Sequence, residues 1–221
     1  MKTITRIAGG CLMILCGIGT AAGQILTANF DTLHEGSLGN SFSYGGISFY
    51  GLDERIPDTP GGTFTIEATT ASLPGFSPPD YLTTEGYVPG NGYSFGRFGS
   101  ANIGFTGTGS FASLNVFGFN TTSMNTLTLE ALAGGVVVSS DVMTFHGTSP
   151  GLIVSQMLTV SGQFDTLRLV GAGPDNNGTD FFGIDNVAIT LVPEPNASTL
   201  LGYGFAGLLG ASIFRRALQS R

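Results

Sequence analysis

The chain has 221 residues, with 35 glycines, 10 prolines, no tryptophan, and only 10% charged residues against 42% hydrophobic ones. Its formal net charge of −7, from 15 acids and 8 basic residues, repels nucleic acid and anionic lipid, and no nucleic-acid partner is expected. The length suits one domain with a sizeable core, held between short terminal segments of different character.

Residues 1–23 read as a secretory signal peptide. Lys2 and Arg6 come first, an apolar run follows over 7–19, and Thr20-Ala21-Ala22-Gly23 supplies small residues for cleavage after Ala22 or Gly23. Both cysteines lie inside it. Cys11 falls too early, and Cys16 follows Leu15 without a suitable small-residue box, which argues against a lipoprotein. The body, 24–191, therefore has no thiol and no disulfide, and draws its stability from its core and from any bound ions. Only Arg55, Arg97 and Arg168 fall in that body, against fourteen acids, for a net charge near −11. Such a surface favours cations, and it also keeps an exported protein soluble.

The body reads as β. Short alternating runs recur between Gly, Pro, Asn and Ser, and no stretch holds a 3.6-residue apolar period. The runs are 25–30, 46–51, 63–68, 93–98, 102–106, 111–119, 127–132, 135–142, 155–160, 164–170 and 182–191. Strands without intervening helices imply an all-β, antiparallel two-sheet sandwich of jelly-roll type. Alternation within 111–119 puts Phe111, Phe117 and Phe119 on one face and Leu114 and Val116 on the other. Both faces are apolar, which implies either a central strand covered on each side or a register shift by a bulge near Ser113; the expectation is a central strand with Leu114 and Val116 covered by a long loop. Two loops are long enough to notice, 52–62 and 73–91; the second contains Pro74, Pro78, Pro79 and Pro89 and is the expected cover. It carries Phe76, Tyr81 and Tyr87, with Tyr93 just after. Aromatic rings on edge loops either stack on sugar rings or cap the open end of a core, and both readings stand at this point.

The catalytic search is mostly negative. Gly92-Tyr93-Ser94-Phe95-Gly96 matches the nucleophile elbow in letters, but that motif needs a strand before it and a helix after it. Asp141 and His146 could follow Ser94 in order, without evidence of geometry. His34 and His146 are too few for a histidine zinc site. A carboxylate pair for glycoside hydrolysis is a third, weaker reading, because separation in space is not legible. No catalytic residue is assigned. The stretch Asp175-Asn176-Asn177-Gly178-Thr179-Asp180 looks like half a calcium loop and equally like an Asx-rich turn.

Residues 192–221 differ from everything before them. Val192-Pro193-Glu194-Pro195 is forced into extended backbone by its prolines, 198–214 carries no charge, and Arg215, Arg216 and Arg221 close the chain. As a helix the uncharged run would rise roughly 26 Å at ~1.5 Å per residue, just short of the ~30 Å hydrocarbon core. Basic residues beyond it stay cytoplasmic. In order and spacing this tail resembles the PEP-CTERM sorting tail, over about a seventh of the chain. The resemblance implies export, retention by a single transmembrane helix in the inner membrane, and processing by an exosortase-type membrane enzyme. That enzyme would read Pro193, Glu194 and Pro195, with Arg215 and Arg216 as the cytoplasmic stop. The destination is the cell surface or extracellular matrix of a Gram-negative-type bacterium. An ordinary membrane anchor with a coincidental Pro-Glu-Pro is the alternative.

Asn29-Phe30-Asp31-Thr32-Leu33, Tyr44-Gly45-Gly46-Ile47-Ser48-Phe49 and Phe182-Gly183-Ile184-Asp185-Asn186-Val187 are similar to the ends of sandwich domains found ahead of such tails, which resemble carbohydrate-binding jelly rolls. The resemblance implies that the first and last strands pair, and that a structural calcium is held near their seam by Asp31 and Asp185, with Glu35 a third ligand. Backbone amides could instead satisfy these carboxylates. The expected function is a non-enzymatic surface or matrix protein. The alternative is a module binding exopolysaccharide.

Overall fold

The computed structural model describes residues 23–54, 62–68, 75–77, 80–88, 92–94, 98–147, 152–173 and 182–193. The signal segment 1–22, residues 55–61, the acidic stretch 175–180 and the tail from Glu194 onward lie outside them, as do Arg215 and Arg216.

Twelve strands are described, with no helix among these residues: β1 (Ile25–Ala28), β2 (Gly36–Gly39), β3 (Phe42–Tyr44), β4 (Ile47–Glu54), β5 (Gly62–Ala68), β6 (Asp80–Val88), β7 (Gly92–Ser94), β8 (Phe98–Phe119), β9 (Asn125–Ala133), β10 (Val136–Phe145), β11 (Ile153–Ala172) and β12 (Phe182–Leu191). Every pairing between them is antiparallel.

Two strands explain the architecture. β8 has 22 residues and β11 has 20, far beyond ordinary strand length, and they pair with each other along both halves. The first half of β8 pairs with β4 and with the second half of β11, which carries β9 and then β10 on its far side. These strands, with β3 at the edge of β4, form a front sheet. The second half of β8 pairs with the first half of β11 and with β12, which continues to β1 and to β6, β5 and β2 as a back sheet. The register breaks between the halves, where Gly107 (φ 105°) and Gly162 (φ 117°) supply backbone that L-residues rarely adopt. Strands that bend in this way pass from one sheet to the other and make a sandwich corner.

Alternation then fills the space between the sheets. Ile47, Phe49, Ala101, Ile103, Leu127, Leu129, Leu167 and Leu169 point inward from the front. Ala112, Leu114, Val116, Leu158, Val160, Ile184 and Ile189 point inward from the back, and all join one buried cluster. The sandwich expectation holds at the level of two packed antiparallel layers, and the first and last described strands do pair, Ile25 opposite Thr190 and Ala28 opposite Val187.

Three expectations are corrected. The runs 93–98, 102–106 and 111–119 are not separate from 98 onward, and 155–160 and 164–170 are one strand: glycines read as breaks are bends. The loop 73–91 contains β6, paired with β5 from Gly62↔Gly86 to Ala68↔Asp80, because its prolines flank the strand rather than interrupt it. Finally, the 111–119 segment is central, between β11 and β12, but Leu114 and Val116 face the opposite sheet and are fully buried. The face that the 73–91 segment covers is that of Phe117, while Phe111 and Phe119 stay partly exposed.

Candidate functional site

The seam between β1 and β12 is built around a bulge. β12 turns Phe182, Ile184, Val187 and Ile189 inward, a spacing of two, three and two. Asp185 pairs with Asn115 and Ala188 with Ser113, so β12 spends one residue more than β8 on this step. Asn186 absorbs it at φ 51°, a conformation Asn tolerates. Asp185 is left completely buried. Its carboxylate accepts hydrogen bonds from the Ser77 amide (2.7 Å), the Ser77 hydroxyl (2.9 Å), the Asn186 amide (2.7 Å) and Asn186 Nδ2 (3.1 Å). Burial pushes its pKa up to about 6 in spite of those donors, and the neighbouring Asp31 carboxylate adds to the rise.

Asp31 arrives from the other side. Phe30 precedes it at φ 61°, strained for a bulky side chain, and is fixed there by its buried ring against Phe42, Tyr44 and Phe49. The Leu33 amide donates to the Phe30 carbonyl (2.9 Å), closing the turn. Asp31 Oδ2 accepts from Asn29 Nδ2 (2.9 Å), whereas Asp31 Oδ1 is buried without a partner. The two non-glycine residues described with positive φ thus adjoin the two carboxylates. A buried, unpartnered carboxylate oxygen beside a second carboxylate fits a hard cation such as calcium, with backbone carbonyls and water to complete the shell. Glu35 is not part of the arrangement: among the described residues no three His, Cys, Asp or Glu side chains converge. Asp185 itself already has the amide partners that the plainer reading of the sequence required.

The same residues pin a loop. The Gly75 carbonyl accepts from Asn186 Nδ2 (2.8 Å) and from Asn115 Nδ2. Phe76 then meets Phe117 edge-on with ring centres 4.9 Å apart, and Tyr81 also meets Phe117 edge-on, at 4.8 Å. Tyr81 is buried, and its hydroxyl donates to Glu67 Oε2 (2.6 Å); burial first, and Glu67 second, raise its pKa above the ordinary tyrosine value. Tyr81 is therefore a cap on Phe117 rather than a platform for sugar, and Phe76 is half-buried in the same stack. Tyr87 and Tyr93 lie directly opposite each other in the β6–β7 pairing; their side chains are outside the described residues.

The literal nucleophile elbow does not have its context. Ser94 lies within β7, paired with Gly86 of β6, not at a strand-to-helix turn. Asp141 is occupied by the Val142 and Thr159 amides (both 2.9 Å), and His146 is exposed in an isolated bridge with Thr121.

What the sequence reading missed is on the outer face of the front sheet. Cross-strand register aligns Tyr50 with Asn102, Asn102 with Arg168, Arg168 with Glu130 and Glu130 with Ser140, one row across β4, β8, β11, β9 and β10. Arg168 Nε donates to Glu130 Oε2 at 2.7 Å and its NH2 group lies 2.6 Å from the same oxygen; the side chains are 39% and 19% exposed. Tyr50 is 40% exposed, and its ring lies so close over Gly104 that a Cβ there would sit 2.9 Å from Cε1. Gly51 (φ 64°) makes similar room for the Asn102 amide, 2.8 Å from where its Cβ would be. Five strands at ~4.8 Å spacing make the row roughly 19 Å long. One signal was available: alternation through 164–170 sets Arg168, alone among the arginines, in mid-strand opposite Leu167 and Leu169. Which residues flank it depends on pairing, which a single sequence does not display.

No known family model matches the chain, and no curated protein matches it in sequence. Solved structures show distant likenesses. An arabinose-bound α-L-arabinofuranosidase (MgGH51) aligns over 78% of this chain at 12% identity and TM-score 0.45; the alignment covers 27% of that enzyme, so this chain spans about a quarter of its length. The K1 cleaved adhesin domain of Lys-gingipain from Porphyromonas gingivalis aligns over 77% of this chain and 99% of its own, at 11% identity and TM-score 0.42. The CBM27-1 module of Caldicellulosiruptor saccharolyticus, in complex with mannohexaose, aligns over 77% and 98%, at 13% identity and TM-score 0.42. Likenesses this distant carry nothing about function.

Proposed function

We propose that the domain is a polysaccharide-binding module of an exported surface or matrix protein, and that the outer face of the front sheet is its binding surface. The observation that supports this is the Tyr50–Asn102–Arg168–Glu130–Ser140 row. An accessible aromatic ring beside planar donors and acceptors is what a hydroxyl-rich, ring-shaped ligand needs, since sugar faces stack and their hydroxyls take directed hydrogen bonds. The row holds one carboxylate, and that carboxylate is engaged by Arg168, which favours binding over glycoside hydrolysis. Export and retention rest on the sequence alone, on residues 1–23 and on Pro193, Glu194 and Pro195 with the apolar run beyond; the Asp31–Asp185 seam would be a structural cation site.

The test is affinity electrophoresis of the purified domain through gels containing extracellular polysaccharide, beside Tyr50→Ala. Retardation that Tyr50→Ala reduces about fivefold or more supports the surface; retardation indifferent to Tyr50→Ala excludes it. For the sorting half, Glu194→Ala should change the fraction in which the protein is recovered, and unchanged fractionation counts against it.

A further inference from the structure

The row is nearly neutral in a body that is not. Fourteen acids face three arginines over 24–191, yet the flanking row Ser48–Gly104–Thr166 carries no charged group, and the row on the other side, Asp53–Ser100–Val170–Thr128, adds one exposed carboxylate, Asp53, at its β4 end. Arg168 and Glu130 are the charges in the row, and each is spent on the other. Both short contacts of Arg168 go to one oxygen, Glu130 Oε2. A guanidinium has five N–H donors and a carboxylate two oxygens, so the pair still offers donors on one side and an acceptor on the other. A hydroxyl both donates and accepts, so neighbouring hydroxyls can bond to the pair without separating it. An anionic group behaves differently. To take Arg168 it must displace Glu130 or sit against it, leaving a half-buried carboxylate without its partner, and it must first approach an acidic domain.

We infer that the polymer taken by this face is an uncharged polysaccharide, and that the Arg168–Glu130 pair reads hydroxyls as a unit and turns away uronate or sulfate groups. This rests on the polysaccharide-binding reading above and narrows it to a chemical class. Glu130 is then the residue that sets specificity: it supplies an acceptor to hydroxyls and repels anions.

The experiment runs the intact domain through affinity gels containing neutral polymers (a glucan, a mannan, a xylan) and anionic ones (polygalacturonate, alginate), at about 20 mM and about 500 mM salt, beside Glu130→Gln and Tyr50→Ala. Both positions face outward, and circular dichroism checks that the variants fold. The expected result is retardation by at least one neutral polymer, changing less than about twofold with salt because no net charge is exchanged. Tyr50→Ala and Glu130→Gln should each weaken it about fivefold or more, and Glu130→Gln should gain retardation by a polyuronate at low salt. Retardation by polyuronates alone, lost at high salt and abolished by Tyr50→Ala, would overturn the inference while the binding surface stands. No retardation by any polymer, or retardation untouched by Tyr50→Ala, would overturn the binding surface and the inference with it.

Discussion

The two outer faces of the sandwich carry similar chemistry and use it in opposite ways. On the back sheet, Asn115, Asp185 and Asn186 turn their polar groups onto the loop at Gly75–Ser77, and Phe117 is covered by Phe76 and Tyr81. On the front sheet, Asn102, Arg168, Glu130 and Tyr50 lie in one row with ring and ion pair partly open to water. Aromatic rings beside amides and carboxylates therefore identify a binding surface only when nothing in the chain has already claimed them. The covered face should govern stability and leave binding alone; the open face should do the reverse.

The largest break in that comparison is Phe117→Ala. It removes a buried ring that two others pack against, and large-to-small changes of this kind cost about 3–5 kcal/mol. Urea denaturation should show the loss, and polymer retardation by the folded fraction should be unchanged. Asp185→Ala comes next. It strands the Ser77 and Asn186 amides in a buried seam, at a cost of about 2–4 kcal/mol. If Asp185→Ala unfolds at the same urea concentration as the parent, the loop is held by something other than this carboxylate.

How much of this was legible follows the same division. Period-two alternation is local, so strands such as β9, β10 and β12 could be read within a few residues. The β12 bulge went unread, although the spacing of Phe182, Ile184, Val187 and Ile189 carries it; Asp31 and Asp185 were legible as neighbours at the seam, through resemblance. The bends in β8 and β11 were not, because Gly107 and Gly162 look the same in sequence whether they end a strand or turn it. The front row was not legible either. Arg168 and Glu130 are separated by 38 positions, and nothing short of the register of β11 against β9 brings them together. Tyr81 could not be decided for a related reason: its neighbours Phe117 and Glu67 come from other strands, so the choice between a sugar platform and a cap on the core was not legible.

Asp185 also gives the covered face a pH signature. Its pKa is raised from the usual carboxylate value to about 6, so between about pH 4 and 6 the folded state holds a proton that the unfolded chain has lost. With a chelator present, its contribution to stability should therefore fall as pH rises through that window, by at most about 3 kcal/mol at 1.36 kcal/mol per unit. Asp185→Asn, which cannot titrate, should flatten that part of the profile. Calcium reverses the sign, because it binds the ionised form. At pH 7 it should raise the melting temperature, with about 2.7 kcal/mol expected at a hundredfold excess over Kd, and below pH 4 it should do little. A calcium response that survives both Asp31→Asn and Asp185→Asn would move the cation elsewhere.

The smallest effect on stability should belong to Gly104→Ala, and it is the sharpest test of the open face. The added methyl would sit 2.9 Å from Tyr50 Cε1, closer than real contacts allow, so the ring must move. Moving it is cheap, since the atom in the way is the outer part of a half-exposed side chain rather than backbone. Gly104 is not among the glycines at positive φ, and alanine loses less conformational freedom than glycine in a strand, so the cost in stability should stay within about 1 kcal/mol. The ring, however, is displaced from its seat against β8, and with it the only aromatic surface in the row. Polymer retardation should therefore weaken nearly as much as in Tyr50→Ala, while the denaturation midpoint hardly shifts. A variant that binds as the parent does would mean that Tyr50 is surface decoration and that the row is not read by stacking.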